Sequence, residues 1–247
     1  MKRFAAGTMA LALAALAAVP VAAQQQRPAP GAQESRPGMA ILDFEIGATI
    51  GQDAEDYQAL RRGLAALTIS EVAANPAVRV VERAQLQQIL QEQNLGREGR
   101  VEAGSIVQIG RLIGARYMVT GTLYDLRGQV RVDVRLFDAE TGQILRTSRV
   151  DGRMDGLFDM VSRLAQQLMR DANLPPLERR AMEQHREQNP APPSQAVLAY
   201  SRAMLYADRG DTQRAVEQYR RAISIFPQYT QARSACNQLQ QGACGSS

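Results

Sequence analysis

The chain is nearly without lysine: Lys2 is the only one in 247 residues, and every later basic side chain is an arginine. It also has one histidine, His185, no tryptophan and two cysteines, Cys236 and Cys244. These shortages exclude whole classes of chemistry. A segment without lysine forms no lysine Schiff base and completes no P-loop. A Ser-His-Asp or Cys-His nucleophile needs an imidazole beside it, and the one histidine stands in a charged stretch between prolines, where it reads as a solvent-facing residue. Two thiols and a distant imidazole fall short of the four ligands of a zinc site. The only glycine pair with a phosphate-loop look, in IGRLIG from Ile109, ends a helix ahead of a strand, the reverse of the dinucleotide order, so Gly114 reads as a left-handed cap. Glu82, at a helix start, and Glu92, on the same helix, read as dipole-favoured and solvent-facing carboxylates. No catalytic residue, cofactor or metal ligand is assigned, and the chain reads as a non-enzyme.

Charge of one sign is also missing. Removing Lys2 and Arg3 from the 29 basic residues leaves 27 against 25 acidic ones, which is no footprint for a nucleic acid. The long apolar run is confined to the start, MKRFAAGTMALALAALAAVPVAA, with a basic head and the small residues Val21 and Ala23 at signal-peptidase spacing. Residues 1–23 are read as a signal peptide, with the mature chain beginning near Gln24 and carrying no membrane span. The other reading, an uncleaved anchor, needs a longer run less dominated by alanine. No cysteine follows the run, so a lipid anchor is not expected. Export places Cys236 and Cys244 where a disulfide can form, and their spacing leaves a bridge and two unpaired thiols both open.

Residues 24–38, rich in Gln, Pro, Ala and Arg without apolar period, read as a disordered leader. Residues 39–173 alternate strand and helix patterns. MAILDF suits a buried strand, followed by a loop from Gly47 to Gly51. A helix with Asp53 as its cap then places Leu60, Leu64 and Leu67 on one face and stops at Asn75-Pro76. VRVV is a second strand. Leu86, Ile89 and Leu90 mark a helix up to Gly96, and Ile106, Ile109 and Ile113 mark another after Arg100. Strands from Tyr117, Val130 and Ile144, joined by the DLRGQ and DAETG turns, form an antiparallel meander. Val130 to Leu136 alternates in strict period two, so Arg131, Asp133 and Arg135 share a watered face. Leu157, Val161, Leu164 and Leu168 give a closing helix. The fold class is an α/β (α+β) sandwich with a mixed sheet.

Residues 174–193 are a charged, proline-bounded linker or connector helix. Residues 194–240 resemble a single tetratricopeptide repeat, with Ala203, Tyr206, Gly210, Ala215, Tyr219, Ala222 and Pro227 at its small and aromatic positions and a capping helix from Thr230 to Leu239. Ala199 and Tyr200 stand where the usual early tryptophan would. One repeat is fewer than the roughly three that make an independent stack, so it is expected to dock on its own domain, a second copy or a partner. Residues 241–247 are a tail.

The order and spacing of MAILDF, VVER, ILQEQNL, IGRLIGARYMVTGTL and FDAETGQIL resemble the CsgG family of curli secretion and assembly proteins, over Met39 to about Asn173. The resemblance implies the periplasmic α/β domain of subunits that assemble as a ring in the outer membrane and export curli fibre subunits. Members that form the pore insert two long hairpins, whose strands need about 9 to 11 residues each to cross a bilayer. Here those places hold Tyr124-DLRGQ-Val130 and the span from Val150 to Leu157, both too short to cross. The expectation is therefore an exported, soluble periplasmic adaptor or assembly component that binds other envelope or secretion proteins, with homo-oligomerisation and peripheral contact with the outer membrane left open. The alternatives are a subunit of an outer-membrane curli-like secretion channel and a regulator binding a cell-wall synthase. Candidate partner-binding residues are Arg131, Asp133 and Arg135 on the strand face, with Arg202, Tyr206 and Tyr219 in the repeat.

Overall fold

Among the described residues the chain forms six strands and eight helices. A computed structural model describes residues 36–50, 53–92 and 103–245. The strands are β1 (Gly38–Ile41), β2 (Glu45–Ile50), β3 (Arg79–Val80), β4 (Tyr117–Leu126), β5 (Gln129–Asp138) and β6 (Ile144–Arg153). The helices are α1 (Ala54–Ala73), α2 (Arg83–Glu92), α3 (Ala103–Ile113), α4 (Leu157–Asp171), α5 (Arg179–Gln188), α6 (Ser194–Asp208), α7 (Thr212–Ile225) and α8 (Thr230–Leu239). The signal-peptide reading of 1–23, most of the leader, and the helix ends expected at Gly96 and Arg100 lie outside the described residues; Gly38, expected to close the leader, opens β1.

The sheet is mixed, in the order β3-β1-β4-β5-β6, with β2 also on β4. β1 and β2 both run parallel to β4, β1 against Tyr117 to Val119 and β2 against Thr122 to Leu126, so they form one interrupted strand along a single edge of β4. The loop expected at Gly47 to Gly51 is thus corrected over residues 47–50, Gly51 lying outside the described residues. Glu45–Ile50 extends the sheet because β4 runs on to Leu126 and offers it a full edge. At the interruption, Leu42 N donates to Val119 O and Phe44 N to Arg61 O, which satisfies the backbone that leaves the ladder.

Tyr117, Val130 and Ile144 head the strands of an antiparallel meander. Arg127 and Gly128 adopt φ of 57° and 83°, the left-handed pair of a two-residue hairpin turn, and Asp125 Oδ1 accepts from Gly128 N at 2.7 Å. Asp53 precedes α1 as expected, but its side chain makes no capping bond; its carbonyl accepts from Asp56 N and Tyr57 N instead.

Helices cover the two faces unequally. On one face α1 and α4 bury Leu60, Leu64, Val161, Leu164 and Leu168 against Val119, Leu123, Val130, Val132 and Val134. On the other, α2 and α3 place Leu86, Leu90, Ile106 and Ile109 over a patch of Ala40, Leu42, Val81, Met118, Phe137 and Ala139. Beyond that patch the second face of β4, β5 and β6 carries no helix among the described residues.

The C-terminal helices dock on this same chain. Gly63 of α1 meets Ser201 of α6 so closely that a Cβ at Gly63 would lie 1.8 Å from Ser201 Oγ, and Ala66 joins the hairpin core of Ala203, Ala215, Tyr219 and Ala222. Tyr200 fills the seam, 5.8 Å from the Tyr219 ring and 5.0 Å from Tyr229; burial pushes its phenol up to about 12. Cys236 and Cys244 are bonded, with Cα atoms 6.0 Å apart, and hold the tail against α8.

Ion pairs close the junction. Arg83, at the start of α2, donates to both oxygens of Asp43 at 3.0 Å and to Asp208 Oδ2, at the end of α6, at 2.7 Å. Arg62 of α1 reaches the same Asp208 oxygen at 2.7 Å. Burial would lower the Arg83 guanidinium, but Asp43 and Asp208 outweigh it and push it up. Burial would likewise raise Asp208, and the Arg83 and Arg62 contacts reverse that, holding it below the usual carboxylate range.

Two predictions follow from these contacts. A Cβ at Gly121 would lie 2.2 Å from the Phe44 ring, so Gly121→Val is expected to destabilise by about 3 kcal/mol through overpacking, read as a lowered urea midpoint. Arg83→Met leaves Asp43 and Asp208 without their shared cation and should cost about 3 kcal/mol. Because the folded Asp208 titrates below its unfolded value, its contribution is complete above about pH 4 and is lost as pH falls through the folded value. The acid limb of a melting-temperature profile should therefore be steeper in the wild-type protein than in Arg83→Met.

Candidate interaction surface

Alternation along three paired strands puts their polar residues on the uncovered face, and the register arranges them in rows. Thr120, Arg135 and Thr147 form the first row; Thr122, Asp133 and Arg149 the second; Tyr124, Arg131 and Asp151 the third. Glu45 of β2 extends the second row from the far side of Thr122. All of these except Asp151 line a shallow concavity of about 460 Å³. Gly47 makes room for Tyr124, whose ring would come within 2.4 Å of a Cβ there.

Asp133 is the hub. Arg131 Nε donates to its Oδ1 at 2.8 Å, Arg149 Nε reaches the same oxygen at 3.1 Å, and the Arg131 carbon lies 5.2 Å from the Tyr124 ring centroid. The Arg131 hydrogen bond, with help from Arg149, holds the Asp133 carboxyl below the usual carboxylate range despite partial burial. Arg135 is exposed. The face offers guanidinium, hydroxyl and aromatic groups without a nucleophile-base pair, and the described residues contain no cluster of three metal-ligating side chains.

Of the sequence-predicted residues, Arg131, Asp133 and Arg135 come together here. Arg202, Tyr206 and Tyr219 do not join them. Arg202 Nε donates to Asp56 at 2.7 Å, Tyr206 is buried with its hydroxyl 3.4 Å from Glu55 and Arg214 over its ring, and Tyr219 lies in the hairpin core. All three hold the hairpin together or on α1. His185 is corrected from solvent-facing to half-buried: its Nε2 lies 3.4 Å from Glu71 Oε1 because α5 packs back on the chain. Thr120, Thr122, Tyr124, Thr147, Arg149 and Glu45 were missed. The polar alternation in YMVTGTLY was the available signal for the first three.

With this geometry in view, residues 22–131 match the family described as curli production assembly/transport component CsgG. The match lies within a mixed α/β fold and ends at Arg131 in β5, earlier than the Asn173 expected from the motifs. Similar solved structures include the LpoB C-terminal domain from Escherichia coli, at 16% identity over 47% of this chain and 82% of that one, with a TM-score of 0.36. Lipoprotein GNA1162 from Neisseria meningitidis is 17% identical over 53% and 95%, with a TM-score of 0.36. The PelC dodecamer from Paraburkholderia phytofirmans is 15% identical over 55% and 87%, with a TM-score of 0.33. No curated protein matches. No described helix is long and apolar enough to cross a membrane.

The Asp133 network is a surface feature, so its removal should matter little to folding. Asp133→Asn is expected to change stability by less than about 1 kcal/mol. In the wild-type protein the Asp133 carboxyl should titrate below the ordinary value of about 3.9, measured by carboxyl-carbon NMR.

Proposed function

We propose that this chain is a non-enzymatic cell-envelope component of CsgG type, exported by its N-terminal segment and acting in the periplasm as a protein-interaction or adaptor module. The observation that carries the reading is the pairing of a CsgG match with a polar sheet face left open beside a covered one. The C-terminal hairpin, with residues 194–240 as a tetratricopeptide-like unit, then serves to brace α1, and the partner meets the sheet. A helical repeat that binds partners needs its seam exposed, whereas Tyr200, Tyr206 and Tyr219 are buried here.

A second reading, the subunit of an outer-membrane secretion channel, is favoured by the match to a family of assembly and transport components. The two-residue turn at Arg127 and Gly128 weighs against it, since an inserting hairpin needs about 9 to 11 residues in each strand. The two readings part in a planar bilayer. Purified chain is expected to give no conductance, and stepwise channel currents would overturn the adaptor reading. A photo-crosslinking residue at Thr147 should form a discrete adduct with an envelope protein in cells, while one at Arg221 of α7 should not; the reverse pattern would contradict the assignment of the sheet face.

A further inference from the structure

The charges of the three rows are unevenly paired. Arg131 and Arg149 both converge on Asp133, whereas the Arg135 side chain makes no ion pair or hydrogen bond among the described residues, although it stands in the middle of a row with a threonine on either side. Three guanidinium groups line the concavity against two carboxylates, Glu45 and Asp133. A free, exposed guanidinium flanked by hydroxyls is suited to bind a carboxylate with two parallel hydrogen bonds.

The neighbouring edge says what carries that carboxylate. Among the described residues β6 is the last strand of the sheet, ten residues long, without proline, and paired on one side only. Unpaired main-chain groups along such an edge are a template for another strand, and Ile144 and Leu145, 53% and 37% exposed, lie at its start. Lipid headgroups and acidic polysaccharides lack the amide ladder that this edge complements; an extended peptide has it.

We propose that β6 and the Thr120-Arg135-Thr147 row together receive an acidic, extended segment of a partner protein, added as a strand beside β6 with a glutamate opposite Thr147 bonded to Arg135. The added strand would lie two strand spacings, about 9.6 Å, from β5. Thr147 is short, so a glutamate and Arg135 can meet above it. Side chains two positions along the added strand fall on the same face, and the next one would stand opposite Arg149. The preferred ligand is therefore a strand with acidic residues at alternate positions. This proposal rests on the partner-binding reading of the sheet face and names the chemistry of the partner.

The test uses the full exported chain and a fluorescent decapeptide alternating Glu and Val, with fluorescence anisotropy as the readout. The wild-type protein should bind it, and Arg135→Gln should weaken binding about tenfold, the loss of one charge-assisted hydrogen-bonded contact. Arg135 is exposed, and an unchanged melting temperature for this variant would verify that folding is unaffected. The same peptide N-methylated on alternate amides should lose binding. Equal binding of a Lys and Val decapeptide, an unchanged affinity in Arg135→Gln, or undiminished binding of the N-methylated peptide would each overturn the proposal. So would binding of phosphatidylglycerol vesicles or polygalacturonate in place of the peptide. If the Thr147 crosslink to an envelope protein persists while the peptide fails, the partner-binding reading stands and this inference alone is lost.

Discussion

Arg83 lies between two carboxylates from distant parts of the chain, and the architecture depends on that meeting. Asp43 comes from the interruption between β1 and β2, and Asp208 from the last turn of α6, with Arg62 of α1 sharing the second. One guanidinium thus fixes the start of α2 against the sheet and the end of α6 against α1. Its five donors in a fixed fork make this possible; a lysine would offer a single point charge. A chain whose later basic residues are all arginine has the right side chain for such a joint. The pair is partly buried, and desolvation costs are offset because both acids are hydrogen-bonded as well as charged.

This joint decides which surface is free. With α1 held under the hairpin, the aromatic seam of α6 and α7 is closed, and α1 and α4 seal one face of the sheet. α2 and α3 reach only the Met118 and Phe137 end of the other face. The strands continue well past that end, so their polar rows are left in water. The proposed interaction surface is what remains when a short helical pair covers part of a long meander.

Much of the fold could be read from residue patterns alone. The period-two alternation from Val130 to Leu136 gave the two faces of β5, and the DLRGQ turn gave the hairpin, because Asp125, Arg127 and Gly128 encode it locally. β2 was not legible. EIGATI has two small residues and no strong pattern, and it becomes a strand because β4 offers it an edge. The candidate site was half legible for the same reason. Arg131, Asp133 and Arg135 share a face by alternation within one strand, whereas Thr120, Thr147 and Arg149 join them only through register between strands. Tyr206 and Tyr219 are ambiguous in the sequence because large aromatics suit a binding seam and a packed one equally. Gly63 and Ser201, small residues far apart in sequence, decide between the two by letting α6 approach α1.

The central claim is that partners meet the open sheet face and its β6 edge, while the C-terminal hairpin is an internal brace. Amide hydrogen exchange over the full chain, free and with the alternating Glu and Val decapeptide, tests it most directly. The account predicts new protection over residues 144–153 and none over α6 and α7. Protection confined to the hairpin, with β6 unchanged, would contradict it.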